Sequence, residues 1–577
     1  MKILIVGSGG REHALAWKLA ASPRVKALYA APGSAAIERW ARCVDLKTHA
    51  EIVAFAERER VDLTVIGPEA PLVEGLADDL AGRGQRVFGP SRAAARLEGS
   101  KGFAKAFMER HGIPTAAYAA FDNLAAALRH VESLAGPFVV KADGLAAGKG
   151  VIICEDREAG RTALRRMMAE RAFGEAGGRV VIESFLLGEE ASYFALSDGQ
   201  DFISLPSVQD HKAVGDLDRG PNTGGMGAYC PAPVVTPEVE RRILEEIVRP
   251  TLRGMAAEGH PYRGVLYVGL MIDQGRPAVV EYNCRFGDPE CQVQMLLLED
   301  DLLDLLEAAC AGSIGQARPR WRAGAAACIV MASGGYPGVY AKGLDIEGLE
   351  QVPESERCQV FHSGTARQNG RWSTQGGRVL GVTAWGEDLR AALGRGYRAV
   401  ERIHWPGAHY RRDIGLKGLR HAAAQRPALN VGVIGEGAQQ AETCAAIVER
   451  LERLEVRARH AAPALGAEFR PWLREQEEAG AEVFIAVGAS VDFARRVAGQ
   501  TGQAVIGCGA GAPAESAQPA GGAAAVCWTA GVPDAVALAA QMLALKYPDL
   551  HAARVRHRLL QTAALPEATR PGSSTPS

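Results

Sequence analysis

Residues 2–6 (KILIV) form an apolar run that ends in Gly7-Ser8-Gly9-Gly10, and an amphipathic stretch with Leu15 and Leu19 at helical spacing follows at once. Strand, glycine turn and helix in that order commit the chain to a parallel sheet, because a strand that leaves through a helix returns beside itself in the same direction. The β-like runs Ala27-Leu28-Tyr29-Ala30 and Leu63-Thr64-Val65-Ile66 repeat the alternation, with helical sequence between them. A parallel sheet flanked by helices is therefore expected over residues 1–104.

The chain has 577 residues, enough for roughly three to five domains of about 100–200 residues each. Residues 105–315 read as mixed α+β sequence with antiparallel hairpins. Strands are expected at 138–141, 151–153, 180–183 and 278–281, and the last two end in a carboxylate. Residues 316–420 carry glycine-rich turns (SGGYPG, TQGGRVLG) and a helix around 387–403, which suggests a smaller α+β domain. Residues 421–428 read as a linker. Beyond it Asn430-Val431-Gly432-Val433-Ile434-Gly435 restarts a strand and a glycine turn, with strands near 483–487 and 504–507 and a helix at 533–546. Lys546 is the only lysine after Lys417, a shift in composition that supports the boundary. Residues 429–562 thus form a second α/β unit, and the tail 563–577 is expected to be disordered. The fold class is α/β and α+β, multidomain.

Basic and acidic residues nearly balance, 65 against 67, for a formal net charge of −2. No nucleic-acid partner and no membrane partner is expected from that balance. No apolar run reaches the ~18–20 residues that span a bilayer. The 11 cysteines form no CxxC pair and no Cys/His cluster at zinc spacing. With an opening (MKILIVGSGG) unlike a signal peptide, they point to reduced thiols in a cytoplasmic protein.

The first glycine turn is not a dinucleotide fingerprint. Glu12 stands where GxGxxG needs its third glycine, and the second strand ends Tyr29-Ala30-Ala31-Pro32-Gly33 without an acid for a ribose. The turn offers backbone N–H groups at a helix N-terminus, which suit a phosphate or serve only as a tight turn. Lys141 ends a strand, and Lys149 lies in the glycine-rich segment after it (KADGLAAGKG). Two ammonium groups on a mobile backbone suit a triphosphate that is covered and released; the alternative is two solvated lysines. In Glu281-Tyr282-Asn283-Cys284-Arg285, alternate strand positions bring Glu281, Asn283 and Arg285 to one face. A carboxylate and an amide oxygen suit Mg2+, and an arginine suits phosphate or carboxylate. Alone this pattern reads as a polar sheet face; with the lysine segment and Glu183 it reads as a site.

Those parts are accompanied by GSGGREHALAW at 7–17, GPEAPLVEGLAD at 67–78, EGSKGFAK at 98–105 and HGIPTAAY at 111–118. IESFLLGEEAS at 182–192, QDHKAVGDLDRGPNTGGMGAY at 209–229 and EYNCRFGDPECQ at 281–292 follow. In that order, over residues 1 to about 420, the sequence resembles the glycinamide ribonucleotide synthetase (phosphoribosylamine–glycine ligase) family of ATP-grasp enzymes. The resemblance implies a Rossmann-like N-terminal domain, an ATP-grasp core and a small α+β domain. It implies that glycine and 5-phosphoribosylamine are joined at the expense of ATP, with Mg2+ or Mn2+, in purine synthesis.

The same resemblance implies roles for residues. Lys101, Lys141 and Lys149 meet the phosphates, with Lys141, Lys149 and Arg285 as the catalytic charges. Glu281 and Asn283 hold the metal. Glu183, Leu186 and Glu190 contact the adenosine. Arg285 and Asp288 grip glycine, with Asp210 a rival for its ammonium. Gly9, Gly10, Glu12, Gly67, Pro68 and Glu69 build the phosphoribosylamine site with Asn222, Thr223, Gly224, Gly225, Met226 and Gly227. His13 and His211 stay open between acid–base groups and hydrogen-bonded structural histidines. The strand before Glu281 reads LYVGLM at 266–271, without the extra acid of many ATP-grasp enzymes. Fewer protein ligands and more water or phosphate oxygens are therefore expected around the metal.

Residues 429–562 resemble class I 5-(carboxyamino)imidazole ribonucleotide mutase, a flavodoxin-like α/β fold, through NVGVIGEG, GAEVFIAVGAS, QAVIGCGAG and GVPDAVALAAQMLALKYPDL. Its GSxSD loop is replaced by Gly435-Glu436-Gly437-Ala438-Gln439, where a glutamate repels a phosphate. His460 keeps its spacing to Pro463, but the family's next arginine is Ala461, and its second histidine falls near Asp492. The unit is expected to be non-catalytic, an active mutase being the alternative. It is the expected seat of homo-oligomerisation, the ligase half standing as a monomer by itself.

Overall fold

The structure, a computed structural model, describes residues 1–145 and 150–424. Beyond these it describes 430–436, 438–454, 456–461, 481–488, 504–509, 526–529 and a few single positions up to 539. Lys149, Asp492, the tail 563–577 and most of the expected helix at 533–546 lie outside the described residues. The chain divides into two compact units, Met1–Gly418 and Leu419–Ser577.

In the first unit the opening strand, Lys2–Gly7, is the centre of a five-stranded parallel sheet. Its order is Arg42–Cys43, Ala27–Pro32, Lys2–Gly7, Leu63–Ile66, Val87–Phe88. Strand alternation sends Ile3 and Ile5 into one core and Leu4 and Val6 into another. The helix Gly10–Ala20 buries Leu15 and Leu19 in the first of these. A four-stranded antiparallel sheet follows, in the order Tyr118–Phe121, Val180–Ser184, Phe138–Ala142, Val151–Cys154. Phe138, Val140 and Ile182 belong to its own small core.

An eight-stranded antiparallel sheet follows, beside two separate two-stranded hairpins, Ala213–Gly215 with Arg219–Asn222 and Thr365–Gln368 with Arg371–Thr374. The order of the large sheet is Arg276–Asn283, Arg263–Asp273, Glu189–Asp198, Phe202–Asp210, Gly227–Cys230, Ala325–Ala332, Arg378–Gly386, Cys358–His362. This sheet spans the boundary expected between 105–315 and 316–420. The last three strands pair directly onto Gly227–Cys230, so backbone hydrogen bonds run unbroken across that boundary. The cut expected at 104 falls inside the helix Lys101–Arg110, and the cut at 315 inside the short helix Ile314–Gln316. The expected linker 421–428 is helical in its first half, as part of Leu416–Ala424. Alanine-rich sequence without a helix breaker explains that extension.

In the second unit five parallel strands stand in the order Arg457–Ala461, Asn430–Gly435, Ala481–Val487, Ala504–Cys508, Val526–Thr529. Numbered along the chain this is 2-1-3-4-5, the flavodoxin-like order. Val431, Val433, Ile485 and Ile506 meet Ile447 and Leu451 of the helix Ala441–Arg453 in its core. Among the described residues no helix is long and apolar enough to cross a membrane.

Candidate active site

The first unit encloses a cavity of about 460 Å³. One end is apolar, lined by Val139, Val151, Ile153, Phe185, Leu186 and Met271; the other carries Lys212, Glu281, Asn283, Arg285, Asp288 and Arg378. The sheets explain the contrast. Val139, Val151 and Ile153 come from the four-stranded sheet, whereas Glu281 and Asn283 lie at the end of the edge strand Arg276–Asn283.

At the apolar end Glu183 is almost wholly buried and faces two ammonium groups, Lys105 Nζ at 2.9 Å and Lys141 Nζ at 3.0 Å. Lys141 also donates to the Val280 carbonyl (3.0 Å) and Lys105 to Thr115 Oγ1 (2.7 Å). Burial lowers Lys105 to about 8 against the pull of Glu183. Lys101 donates to the Gly144 carbonyl, 3.1 Å away, and burial lowers its pKa too. Leu186 lies in the connection between Val180–Ser184 and Glu189–Asp198.

At the polar end Lys212 Nζ stands 3.6 Å from Glu281 and 3.7 Å from Glu190. Burial alone would lower Lys212, but Glu190, Glu281 and Asp210 outweigh it and hold the ammonium well above its ordinary value. Burial would likewise raise Glu281; Lys212, Lys141, Lys101 and Arg285 overcome it and draw the carboxyl down to about 2. An ionised carboxylate beside the Asn283 amide oxygen is a hard-oxygen pair, which fits Mg2+ or Mn2+. Among the described residues no three His, Cys, Asp or Glu side chains group to hold a metal. Gly269 pairs opposite Glu281, and a Cβ there would stand 3.2 Å from Glu281 Cγ, a close contact that Glu281 would have to yield to.

Arg285 is already engaged. It donates to Glu98 (2.9 Å), to Glu69 (3.2 Å) and to the Asn283 amide oxygen (3.2 Å). Glu98 also accepts the Cys284 N–H at 2.7 Å. Asp288 accepts from Gln292 (2.8 Å) and stands 3.4 Å from Arg378 Nη2. Burial would raise it, and Arg378 and Arg11 keep it below its ordinary value. Arg378 Nη1 donates to the Gly224 and Asp288 carbonyls, 2.5 Å each, and so joins two loops of the site. Asp210 is buried; that burial, opposed by Lys212 and reinforced by Glu290, Glu190 and Glu281, pushes it up to about 7. Glu290, also buried, accepts from Tyr267 Oη at 3.0 Å.

The glycine turns serve the protein's own packing more than the sequence suggests. The Gly9 N–H donates to Glu12 Oε2 at 2.6 Å, so a carboxylate of the helix already occupies part of the expected phosphate cradle. A Cβ at Gly67 would stand 2.1 Å from Glu12 Oε1, and one at Gly10 2.8 Å from Gln292. Glu12 therefore fills the space between the first and fourth strands' turns, which explains why a third glycine is absent. Pro68 and Glu69 line the cavity. Asn222, Thr223 and Gly224 line it too; Gly225 packs on Pro289 and Gly227 on the Cys328 carbonyl. Met226 is fully buried, its N–H donating to the His211 carbonyl at 2.8 Å.

Both histidines are buried and hydrogen-bonded, and neither lines the cavity. His13 Nδ1 accepts the His362 N–H at 2.9 Å, and burial lowers its pKa to about 3. His211 is buried beside the Gly227 carbonyl and lowered to about 4, chiefly by that burial. Lys105, Lys212, Arg11, Glu98, Glu290 and Arg378 line the cavity but do not stand out in the sequence. Lys105 had a signal, since it lies one helical turn from Lys101 and shares its face. Arg378 had none beyond the glycine turn that precedes it.

The family models for the phosphoribosylglycinamide synthetase N domain, ATP-grasp (A) domain and C domain match residues 1–98, 99–291 and 326–417. The phosphoribosylamine–glycine ligase of Mesorhizobium japonicum is 53% identical over 426 residues, 74% of this chain and 100% of its own. That of Vibrio parahaemolyticus is 52% identical over 424 residues, 73% of this chain and 99% of its own. The crystal structure of phosphoribosylamine–glycine ligase from Thermotoga maritima superposes with a TM-score of 0.64 at 36% identity, over 72% of this chain and 100% of that one. The biotin carboxylase domain of Hydrogenobacter thermophilus 2-oxoglutarate carboxylase, at 18% identity and a TM-score of 0.57 over 73% of this chain and 93% of that one, shares the fold.

Proposed function

The chain belongs to the phosphoribosylglycinamide synthetase family, an ATP-dependent phosphoribosylamine–glycine ligase of the ATP-grasp class, and we propose that its cavity carries out the whole reaction. ATP lies with its adenine at the apolar end, beside Glu183 and Leu186, and its ribose toward Glu190. Lys101 and Lys141 face the phosphates, and Lys149 joins them. Glu281 and Asn283 hold the divalent cation, which when bound neutralises phosphate charge. Arg285 and Asp288 orient glycine, with Asp210 as the counter-charge to its ammonium. The turns at 9–12 and 67–69 and the stretch 222–227 bound the phosphoribosylamine site.

One glycine carboxylate oxygen attacks the γ-phosphorus. The bond from that phosphorus to the β,γ-bridging oxygen breaks, and ADP leaves. The amine of phosphoribosylamine then attacks the carbonyl carbon of glycyl phosphate, the carbon–oxygen bond to phosphate breaks, and the nitrogen gives up a proton. Neither step requires a covalent link to the protein; positioning and charge carry both. The observation that carries this reading is a single cavity in which an ionised Glu281 stands beside Lys212, with Lys101, Lys141 and Arg285 around it.

The reaction is placed in the cytoplasm, in keeping with ten cysteines of the described residues that form no disulfide. For residues 429–562 the reading is a non-catalytic module that assembles copies of the chain, supported by a flavodoxin-like sheet and by the altered loop at Glu436. ADP release tests the ligase. It is expected to require glycine and phosphoribosylamine together for sustained turnover, and Glu281→Gln is expected to lower kcat at least about 100-fold. Turnover without glycine, or an unaffected variant, would overturn the assignment.

A further inference from the structure

We propose that Arg411 is a positioning residue for the ligase reaction, fixing the hairpin whose two ends, Lys212 and Asn222 to Gly224, line the cavity. The inference rests on the assignment of that stretch to phosphoribosylamine. The hairpin consists only of Ala213–Gly215 paired with Arg219–Asn222 and joins no larger sheet. A two-stranded hairpin is marginal in water, so its position must be set from outside.

Arg411 supplies that anchor. Its side chain is 1% exposed and does not line the cavity. Nε and Nη2 hold Asp413 in a two-point pair at 2.8 and 2.7 Å, which fixes the plane of the guanidinium. Nη1 then donates to the Ala213 carbonyl (3.2 Å) on the first strand and to Asp218 (2.8 Å) in the turn. Asp413 in turn accepts the Leu217 N–H at 2.9 Å, and Lys417 pairs with Asp218 at 2.7 Å.

The turn itself is strained. Leu217 and Asp218 both adopt the left-handed region, with φ of 60° and 56°, where neither a leucine nor two residues in succession is at ease. Such a backbone persists only where surrounding contacts over-determine it. Every contact just named comes from residues 411–417, at the end of the segment matched by the C domain. That segment therefore acts on the second substrate without touching it.

Asp218→Asn is the informative variant, because it leaves the Arg411–Asp413 pair and the Ala213 carbonyl contact in place. KM for phosphoribosylamine, generated in situ, is expected to rise about tenfold from a misplaced hairpin end. KM for ATP and for glycine, and kcat, are expected to stay within about twofold. Arg411→Met is expected to raise the same KM, and the double variant to be no worse than Arg411→Met, since both act through one network. Should Arg411→Met fail to fold, Asp218→Asn decides alone. Unchanged KM values in folded Asp218→Asn, or all three rising together with a lower melting temperature, would overturn the positioning role. Asn222→Ala separates the two claims. If it leaves KM for phosphoribosylamine unchanged, the substrate assignment of the stretch falls and this inference with it. If it raises that KM and Asp218→Asn does not, only the positioning role falls.

Discussion

Glu183 balances two buried ammonium groups with one carboxylate, and that ratio makes it a sensitive charge at the apolar end of the cavity. Removing it leaves Lys105 and Lys141 without their counter-charge. Glu183→Gln is expected to destabilise the protein by about 3–5 kcal/mol, read as a lower thermal midpoint, with part recovered by Lys105→Met in the same chain. Asp210 makes a prediction about pH. Its folded carboxyl is raised from 3.8 to about 7, so the native state keeps a proton that the unfolded chain has lost. That group's contribution to stability therefore falls as pH rises between those values. An ammonium binds the ionised form, so KM for glycine is expected to fall as pH rises from about 6 to 8, and Asp210→Asn to flatten the profile. Such charges are where sequence reading is weakest. Glu281 and Asn283 were legible because strand alternation brings them to one face; Arg285 lies past the end of that strand and joins them through its hydrogen bond to Asn283, not through the alternation the sequence suggested. Lys212 and Glu290 were not, since they reach the cavity from a loop after Phe202–Asp210 and from the helix Glu290–Leu297, segments that no local pattern ties together.

Local chemistry accounts for the elements better than for their grouping. The opening strand, its glycine turn and the helix after it follow from spacing and apolar pattern, and so do the strands around 63–66, 138–141 and 278–281. The grouping of strands did not follow, because pairing Gly227–Cys230 with Ala325–Ala332 is a long-range choice that no local pattern encodes. The glycine stretch at 222–227 was read as a place where backbone meets substrate; in the fold its glycines divide the work. Gly225 has φ of 111°, and a Cβ would stand 2.7 Å from Pro289 Cδ. Gly225→Ala is expected to cost about 1–3 kcal/mol in stability and to raise KM for phosphoribosylamine, by displacing the loop that carries Asn222 to Gly224. An unchanged melting temperature and KM would contradict the close packing seen there.

At the scale of the molecule, every described residue of the cavity lies in Met1–Gly418, and the relatives align end to end over about the same length. A chain ending after Ala424, which keeps the helix Leu416–Ala424, is expected to retain kcat within about twofold. A loss greater than tenfold would tie the second unit to catalysis. The full chain is expected not to interconvert 5-(carboxyamino)imidazole ribonucleotide and its 4-carboxy isomer. Turnover abolished by His460→Asn would instead make it bifunctional. The ligase chemistry itself is tested most directly by following oxygen. With glycine labelled in its carboxylate by heavy oxygen, passage through glycyl phosphate moves one labelled oxygen into each inorganic phosphate released. The account predicts that transfer, at one label per turnover, and its loss together with turnover in Glu281→Gln. Phosphate released without label would mean that the carboxylate is never phosphorylated, and would contradict the mechanism assigned to this cavity.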